Sequence, residues 1–397
     1  TDAAGFRRLQ EWRLAHGLPR VVSFDHPKNR LLVDFGNILS VDAFLATARG
    51  LDILRFVEAP SAEATPLTGP DGHYAHELLV PFVLDRPRAA GARRPRQRRP
   101  VPESRRRFQP GSKWLQANLY GAQGGADRVL VEHVGPLARR LREDGIVDRW
   151  FFIRYSDPGR HLRVRFHGRP QALLAEALPA LNEALRPPLA DGLLYRLSLD
   201  TYEREVERYG GLDGVELMEQ VAEADSDAVI DILGQRRAAL ERRHLAVASL
   251  AALYADAGLP LDSRHACCVH LRASWAPPGH SLGSLLGADE RSERAQVAAI
   301  VAALDHRGEE TQLSAIRRRS AALAPLLARL RALDEEGILE LPLDEVLCSL
   351  AHLCVNRLLS SSGNLDEVRV HDALARLYEA ELARRRSGDP SDRPLVG

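Results

Sequence analysis

The chain has 397 residues, 45% of them hydrophobic and 27% charged, with 54 basic residues balancing 54 acidic ones. That describes a folded globular protein with room for two domains, and it excludes a fibrous or wholly disordered chain. Zero net charge excludes a molecule-wide field for polyanions, so no direct nucleic-acid binding is expected beyond local patches. No apolar run approaches the roughly 20 residues of a membrane helix, and the first residues lack the pattern of a signal peptide. The expectation is a cytoplasmic protein that does not associate with membranes.

The first segment, residues 1–85, mixes a short amphipathic helix (Phe6 to Ala15), strand-like pieces LPRVVSFD and RLLVDFG, a helix from Ser40, the turn signal GPDGHY and the strand ELLVPFVL. These pieces are too few to predict a convincing core of their own, so the segment reads as partial α/β structure. Residues 86–112 carry ten arginines and five prolines with a single acid. Such a stretch cannot bury a core, so an extended linker is expected there, either a solvated hinge or a local grip on RNA or an acidic peptide.

From residue 113 the periodicities become clear. WLQANLYG alternates as a strand, and Ala126 to Glu143 has helical spacing at Val129, Leu130, Val134, Leu137 and Leu141. RWFFIRY and HLRVRFHG then form a hairpin across SDPG, Pro170 starts a helix to about Leu185, and GLLYRLSLD closes the set. The order β-α-β-β-α-β predicts a ferredoxin-like sheet with both helices on one face. Beyond Gly214 nearly everything reads as helix: Val215 to Ala224, Ser226 to Asp256, Ser292 to Leu304, Thr311 to Glu335, Asp344 to Leu359 and Leu365 to Arg386. The fold class is therefore α+β, with a large helical region available to cover the open face of the sheet and a cleft between the two. Cys267, Cys268, Cys348 and Cys354 lie in apolar helical contexts without CxxC spacing, so buried free thiols are expected, with neither a disulfide framework nor a metal site.

On HLRVRFHG, period-two geometry sends Leu162, Val164 and Phe166 to the helix side and His161, Arg163 and Arg165 to the other. Two arginine forks on alternate residues, about 7 Å apart, suit a small diacid or phosphate, though a solvated outer face would carry the same pattern. DTYEREVERYGG interleaves Glu203, Glu205 and Glu207 with Arg204 and Arg208, which surface ion pairing would also explain; its two tyrosines and glycine exit make a solvated run less comfortable. In LDEVLCSLAHLCVNRLL, Leu343, Leu347, Leu350, Cys354 and Leu358 form one apolar stripe, and His352 and Asn356 share a face at i,i+4. A histidine there is either a structural hydrogen bonder or a proton carrier. No dinucleotide, P-loop, HExxH or GxSxG motif is present, so no cofactor is expected, and arginines with a histidine and a glutamate favour proton abstraction beside a carbonyl.

These segments, WFFIRYSDPGRHLRVRF, DTYEREVERYGG followed by ADS at 224–226, and AHLCVNRLL, resemble the C-terminal elimination domain of class I lantibiotic dehydratases, also called the thiopeptide-type bacteriocin biosynthesis domain. The resemblance covers roughly residues 113–386, so an elimination domain at 113–390 is expected; residues 1–85 resemble the end of the glutamylation region upstream. It implies a lyase that removes glutamate from glutamylated Ser or Thr of a precursor peptide, giving dehydroalanine or dehydrobutyrine. By motif position the catalytic set would be His352, Arg163, Arg165, Arg208 and Glu205. His161, Arg154, Arg204 and Asn356 are expected to bind substrate beside it. The arginine row and the helical imidazole would share one water-poor pocket. The implied partners are the precursor peptide and a separate tRNA-dependent glutamylating protein, in the manner of a split dehydratase or a fragment of one, with a homodimer expected. A thiopeptide pyridine synthase, joining two dehydroalanines by a formal cycloaddition, and a non-catalytic peptide-binding subunit are the rival readings.

Overall fold

Alternating apolar residues in the first segment pack a small sheet against two helices. In the computed structural model the described residues are 3–25, 30–49, 54–59, 68–70, 72–73, 96, 99–157, 159–235, 242–275, 290–304, 311–359 and 364–387, and the chain divides into two units, residues 1–92 and 93–397. In the first unit, α1 (Ala3–Ala15) precedes β1 (Val21–Asp25) and β2 (Arg30–Asp34), then α2 (Ile38–Ala48) and β3 (Phe56–Glu58), with strand order β2-β1-β3, all antiparallel. Contrary to expectation this unit has its own core. Val22, Phe24, Val33 and Phe35 pack against Val41 and Phe44, and the Phe24 and Phe44 rings meet edge-on at 5.2 Å. A few aromatic rings bury enough area to make so small a cluster worthwhile. The second helix starts two residues before Ser40 because the Asn37 side chain accepts from the amides of Leu39 and Ser40. Around GPDGHY, β4 (Thr68–Gly69) pairs antiparallel with β5 (Gly72–His73). The expected strand ELLVPFVL and residues 86–95, 97 and 98 of the expected linker lie outside the described residues.

The C-terminal part of that arginine-rich stretch is structured, not extended. The short helix α3 (Glu103–Arg106) runs into β6 (Arg107–Phe108), which pairs with Tyr202 and Glu203. Acids facing the chain are the reason: Arg105, Arg106 and Arg107 meet Glu216, Glu207 and Glu203. Arg96 binds Asp334 and the carbonyls of Leu339 and Leu341.

The second unit is built on β7 (Trp114–Gly121), β8 (Arg149–Tyr155), β9 (His161–His167) and β10 (Leu194–Asp200), ordered β10-β7-β9-β8 and antiparallel throughout. With crossover helices between β7 and β8 and between β9 and β10, this is the ferredoxin-like βαββαβ order. The crossovers are α4 (Ala126–Val129) with α5 (Gly135–Glu143), and α6 (Pro170–Ala172) with α7 (Leu178–Ala190). Each widens to a π turn, Leu130–Val134 and Leu173–Ala177, just ahead of Pro136 or Pro179. A wider turn relieves the clash between the pyrrolidine and the preceding turn. Leu162, Val164 and Phe166 share one core with Leu130, Leu137, Leu141, Leu173, Leu181 and Leu185.

After β11 (Tyr202–Glu203) and a 3₁₀ turn, Glu207–Tyr209, come α8 (Leu212–Leu233), α9 (Arg242–Asp256), α10 (Leu261–Trp275), α11 (Glu290–Ala303), α12 (Thr311–Glu335), α13 (Leu343–Leu358) and α14 (Asn364–Ser387). Two of these differ from expectation. The α8 helix runs unbroken through Asp225, because that buried carboxylate is neutralised by Arg319 (2.8 Å) and Arg357 (3.0 Å), and it ends at Gly234 rather than continuing to Asp256. Helix α10, which has Cys267 and Cys268 on its buried side, was not among the expected helix spans, although both cysteines read as lying in a helical context. All four cysteines are free, and no helix among the described residues is long and apolar enough to cross a membrane.

The helical layer is fastened to the sheet along the outer edge of β8. An edge strand exposes unpaired backbone groups, and here side chains pair them. The Arg154 amide donates to Asn356 Oδ1 and its carbonyl accepts from Asn356 Nδ2, both at 2.9 Å. The Phe152 amide donates to Ser226 Oγ (3.2 Å) and its carbonyl accepts from Arg357 Nε (2.8 Å). Replacing Asn356 by Leu leaves two backbone groups of Arg154 unpaired, which should cost about 2–4 kcal/mol. Urea unfolding of Asn356→Leu tests this; a loss under about 0.5 kcal/mol, the size of an ordinary surface change, would contradict the seal.

Candidate active site

The pleat places one rank of polar residues on the face of the sheet opposite the crossover helices. In register, His161 lies beside Tyr120, Arg163 beside Asn118 and Arg165 beside Gln116; Tyr155, Ile153 and Phe151 flank them on β8. On the other side of β7, Ser198 lies opposite Asn118 and Asp200 opposite Gln116. The floor is buried: Arg165 is 7% exposed, and Gln116, Asn118 and His161 are buried as well.

Charge on this floor is held by amides and rings. Arg165 Nε donates to Gln116 Oε1 (2.7 Å), Gln116 Nε2 to Asn118 Oδ1 (3.2 Å), and Asn118 Nδ2 to Asp200 Oδ2 (3.1 Å). The Arg165 guanidinium sits 4.3 Å from the Tyr202 ring and 5.1 Å from that of Phe151. Burial draws its pKa down, yet an arginine stays protonated. Arg163 lies 3.5 Å over the Tyr155 ring and donates to His161 Nε2 at 3.1 Å. Among the described residues neither arginine forms an ion pair, and the remaining forks of both are not spent on acids. His161 has both nitrogens engaged: Nε2 accepts from Arg163, so Nδ1 carries the hydrogen it donates to the Gly159 carbonyl at 2.7 Å.

The segment after β11 approaches this floor. Tyr209, 1% exposed, has its phenol pushed up to about 12, chiefly by burial, with Arg208, Glu205, Arg357 and Arg165 acting on it. The turn needs its glycines: Gly210 and Gly211 have φ of 78° and 100°, and a Cβ on Gly214 would lie 1.8 Å from the Tyr209 carbonyl oxygen. Arg208 holds Glu205 at 3.3 Å on a partly exposed surface. Arg204 points elsewhere, in a bidentate pair with the fully buried Glu219 (2.7 and 2.8 Å) that Tyr202 and Arg149 complete.

The remaining expected residues fall into two sets. Arg154 lies on the opposite face of the sheet, bound to Asp127 and the Arg357 carbonyl, and Asn356 seals the β8 edge; both have structural partners. His352 lies one turn before Asn356 on α13, with Nδ1 2.7 Å from Glu367 Oε1 and its ring stacked on Trp275 at 4.5 Å and 17°. Among the described residues it has no hydrogen bond, ion pair or ring contact with Arg163, Arg165 or Arg208. The structure thus brings Arg163 and Arg165 together on one floor, leaves Arg208 with Glu205, and gives the imidazole its own neighbours on α10 and α14.

A model of the lantibiotic biosynthesis dehydratase C-terminal family matches residues 114–378. The chain belongs to this family. It is 28% identical to the subtilin biosynthesis protein SpaB of Bacillus subtilis over 222 residues, 55% of this chain and 21% of SpaB. It is also 28% identical to the nisin biosynthesis protein NisB of Lactococcus lactis subsp. lactis over 157 residues, 40% of this chain and 15% of NisB. The crystal structure of the tRNA dependent lantibiotic dehydratase MibB from Microbispora sp. 107891 aligns with a TM-score of 0.58 and 25% identity, covering 96% of this chain and 38% of MibB. The chain spans well under half the length of each.

Within this family member, sequence reasoning missed Gln116, Asn118 and Asp200, although the alternate amides of WLQANLYG were a signal in plain view. Glu367 and Trp275 had none, because they reach His352 from other helices. The His161 imidazole is pulled below its ordinary value of 6.5, first by burial and also by Arg163, against the Gly159 carbonyl. The unfolded chain therefore takes up this proton first on acidification: its contribution to stability is intact above the ordinary value and is lost as pH falls through the lowered one. Urea unfolding between about pH 7.5 and 5 should show a shallower acid loss in His161→Gln than in the parent; equal slopes would contradict the neutral assignment.

Proposed function

We propose that the protein removes glutamate from a glutamylated serine or threonine of a precursor peptide, leaving dehydroalanine or dehydrobutyrine, and that residues 113–390 do this work. The supporting observation is the pair Arg163 and Arg165, side by side on the polar face of the sheet, Arg165 buried and Arg163 half-buried, with no acid paired to either among the described residues. In this reaction a base takes the Cα proton, negative charge gathers on the adjacent carbonyl, the Cβ–O bond breaks, and its electron pair leaves with the glutamate carboxylate. Every developing charge is an anion. Donors already fixed in a water-poor site stabilise such charge with little reorganisation, and the planar forks match carboxylate oxygens. Arg208 joins them at small cost, since its half-exposed pair with Glu205 is weak and a substrate carboxylate can displace it.

His352 is the proton acceptor in this reading. His161 is unsuited, with one nitrogen given to Arg163 and the other to Gly159; His352 uses only Nδ1 among the described residues. Seven bonds separate the serine Cα from the glutamyl side-chain carboxylate, roughly 9 Å when extended, so a base at one end and a carboxylate clamp at the other need not touch. The glutamyl ester itself must come from a separate activity that uses glutamyl-tRNA.

The test is a synthetic peptide bearing a glutamyl ester on one serine, followed by mass spectrometry, which separates elimination (dehydroalanine) from hydrolysis (serine restored). The parent protein should eliminate. Arg163→Ala and Arg165→Ala should each be slower by about 10²- to 10³-fold, and Arg165→Lys should not recover the full rate because an ammonium lacks the fork. Peptide bound without turnover, or leader release from a bis-dehydroalanine peptide in place of elimination, would contradict the proposal.

A further inference from the structure

We propose that Glu367 is a positioning residue for His352, holding the imidazole in the tautomer with Nδ1 protonated so that Nε2 is the atom that takes the substrate proton. The proton's destination rests on the elimination reading above; the tautomer does not. A carboxylate accepts and cannot donate, so an Nδ1 only 2.7 Å from Glu367 Oε1 carries the hydrogen. The lone pair then lies on Nε2, directed away from Glu367. This is the logic by which a buried acid fixes a catalytic imidazole in acid–base enzymes generally.

Three features make the contact a fixed device. Glu367 is 9% exposed, and the α14 helix that carries it is clamped to α10 by Arg272 and Asp372 at 2.6 Å. The Trp275 ring, from α10, stacks on the imidazole and limits its rotation. From the next turn of α14, the fully buried His371 brings Nε2 to 3.6 Å from the same Oε1. Burial works against a charge on Glu367, but its contacts with His352 and His371 outweigh that effect and hold the carboxyl below its ordinary value. An ionised acceptor therefore faces His352. Among the described residues, the contacts recorded for the imidazole are thus with Glu367 from α14 and the uncharged Trp275 from α10, and His371 faces Glu367.

The test uses the full chain labelled with ¹⁵N-histidine. In the parent, His352, assigned by its loss in His352→Gln, should show a pyrrole-type Nδ1 and a pyridine-type Nε2. Glu367→Gln, whose amide can donate as well as accept, should lose that signature, and kcat for elimination should fall on the order of 10²-fold or more with KM little changed. Glu367→Asp should recover part of the rate. A merely structural staple would lower the melting temperature and leave the tautomer alone. A folded Glu367→Gln with an unchanged signature and unchanged kcat would overturn the proposal; should Glu367→Gln fail to fold, a parent His352 found with bare Nδ1 would do the same. Should the parent not eliminate glutamate at all, the functional reading fails, and the nitrogen signature alone then decides whether Glu367 sets the tautomer.

Discussion

The bond network along the outer edge of β8 ties the two layers of the second unit together. Asn356 and Arg357 on α13, with Ser226 on α8, supply the hydrogen bonds that a neighbouring strand would otherwise make. Asp225 anchors the arrangement by sharing its two oxygens between Arg357 and Arg319. Removing one member leaves a buried charge or a backbone group without a partner, which costs far more than the net worth of the pair itself. The ADS and HLCVNR segments thus owe much of their composition to docking helix on sheet.

With that edge closed, the face of the sheet away from the crossover helices is left with a rank of polar side chains. Its arginines differ from five others that anchor the structure. Arg204, Arg319, Arg357, Arg154 and Arg96 each end on a carboxylate inside the structure. Arg163 and Arg165 are held by an imidazole, an amide and three aromatic rings, partners that fix a guanidinium without cancelling its charge. A site so built keeps its positive field available for an anion that arrives from outside.

The sheet was legible in the sequence because its signals are local. Alternation in WLQANLYG, RWFFIRY and HLRVRFHG, and helical spacing between them, determine the strand order once the split βαβ is recognised. Period two also placed Arg163 and Arg165 on one face. What was not legible depends on long-range partners. Asn356 looked like a companion of His352 because they share a helix face, yet its amide matches the Arg154 backbone across about 200 positions of chain. Arg154 and Arg204 are spent on Asp127 and Glu219, and no spacing rule finds such pairs. An Asp in the middle of α8 read as a break until its two arginines were known. The arginine-rich stretch was similarly misjudged at 103–108, where acids from three later elements order it.

The central claim is that Arg163 and Arg165 of the sheet floor receive the glutamyl carboxylate. The most direct measurement is a crystal structure of the protein with a peptide in which a glutamyl amide replaces the labile ester. The account predicts carboxylate oxygens at about 3 Å from the guanidinium of Arg163 or Arg165. A glutamyl group bound elsewhere, with those two arginines still held only by His161, Gln116 and the flanking rings, would contradict it.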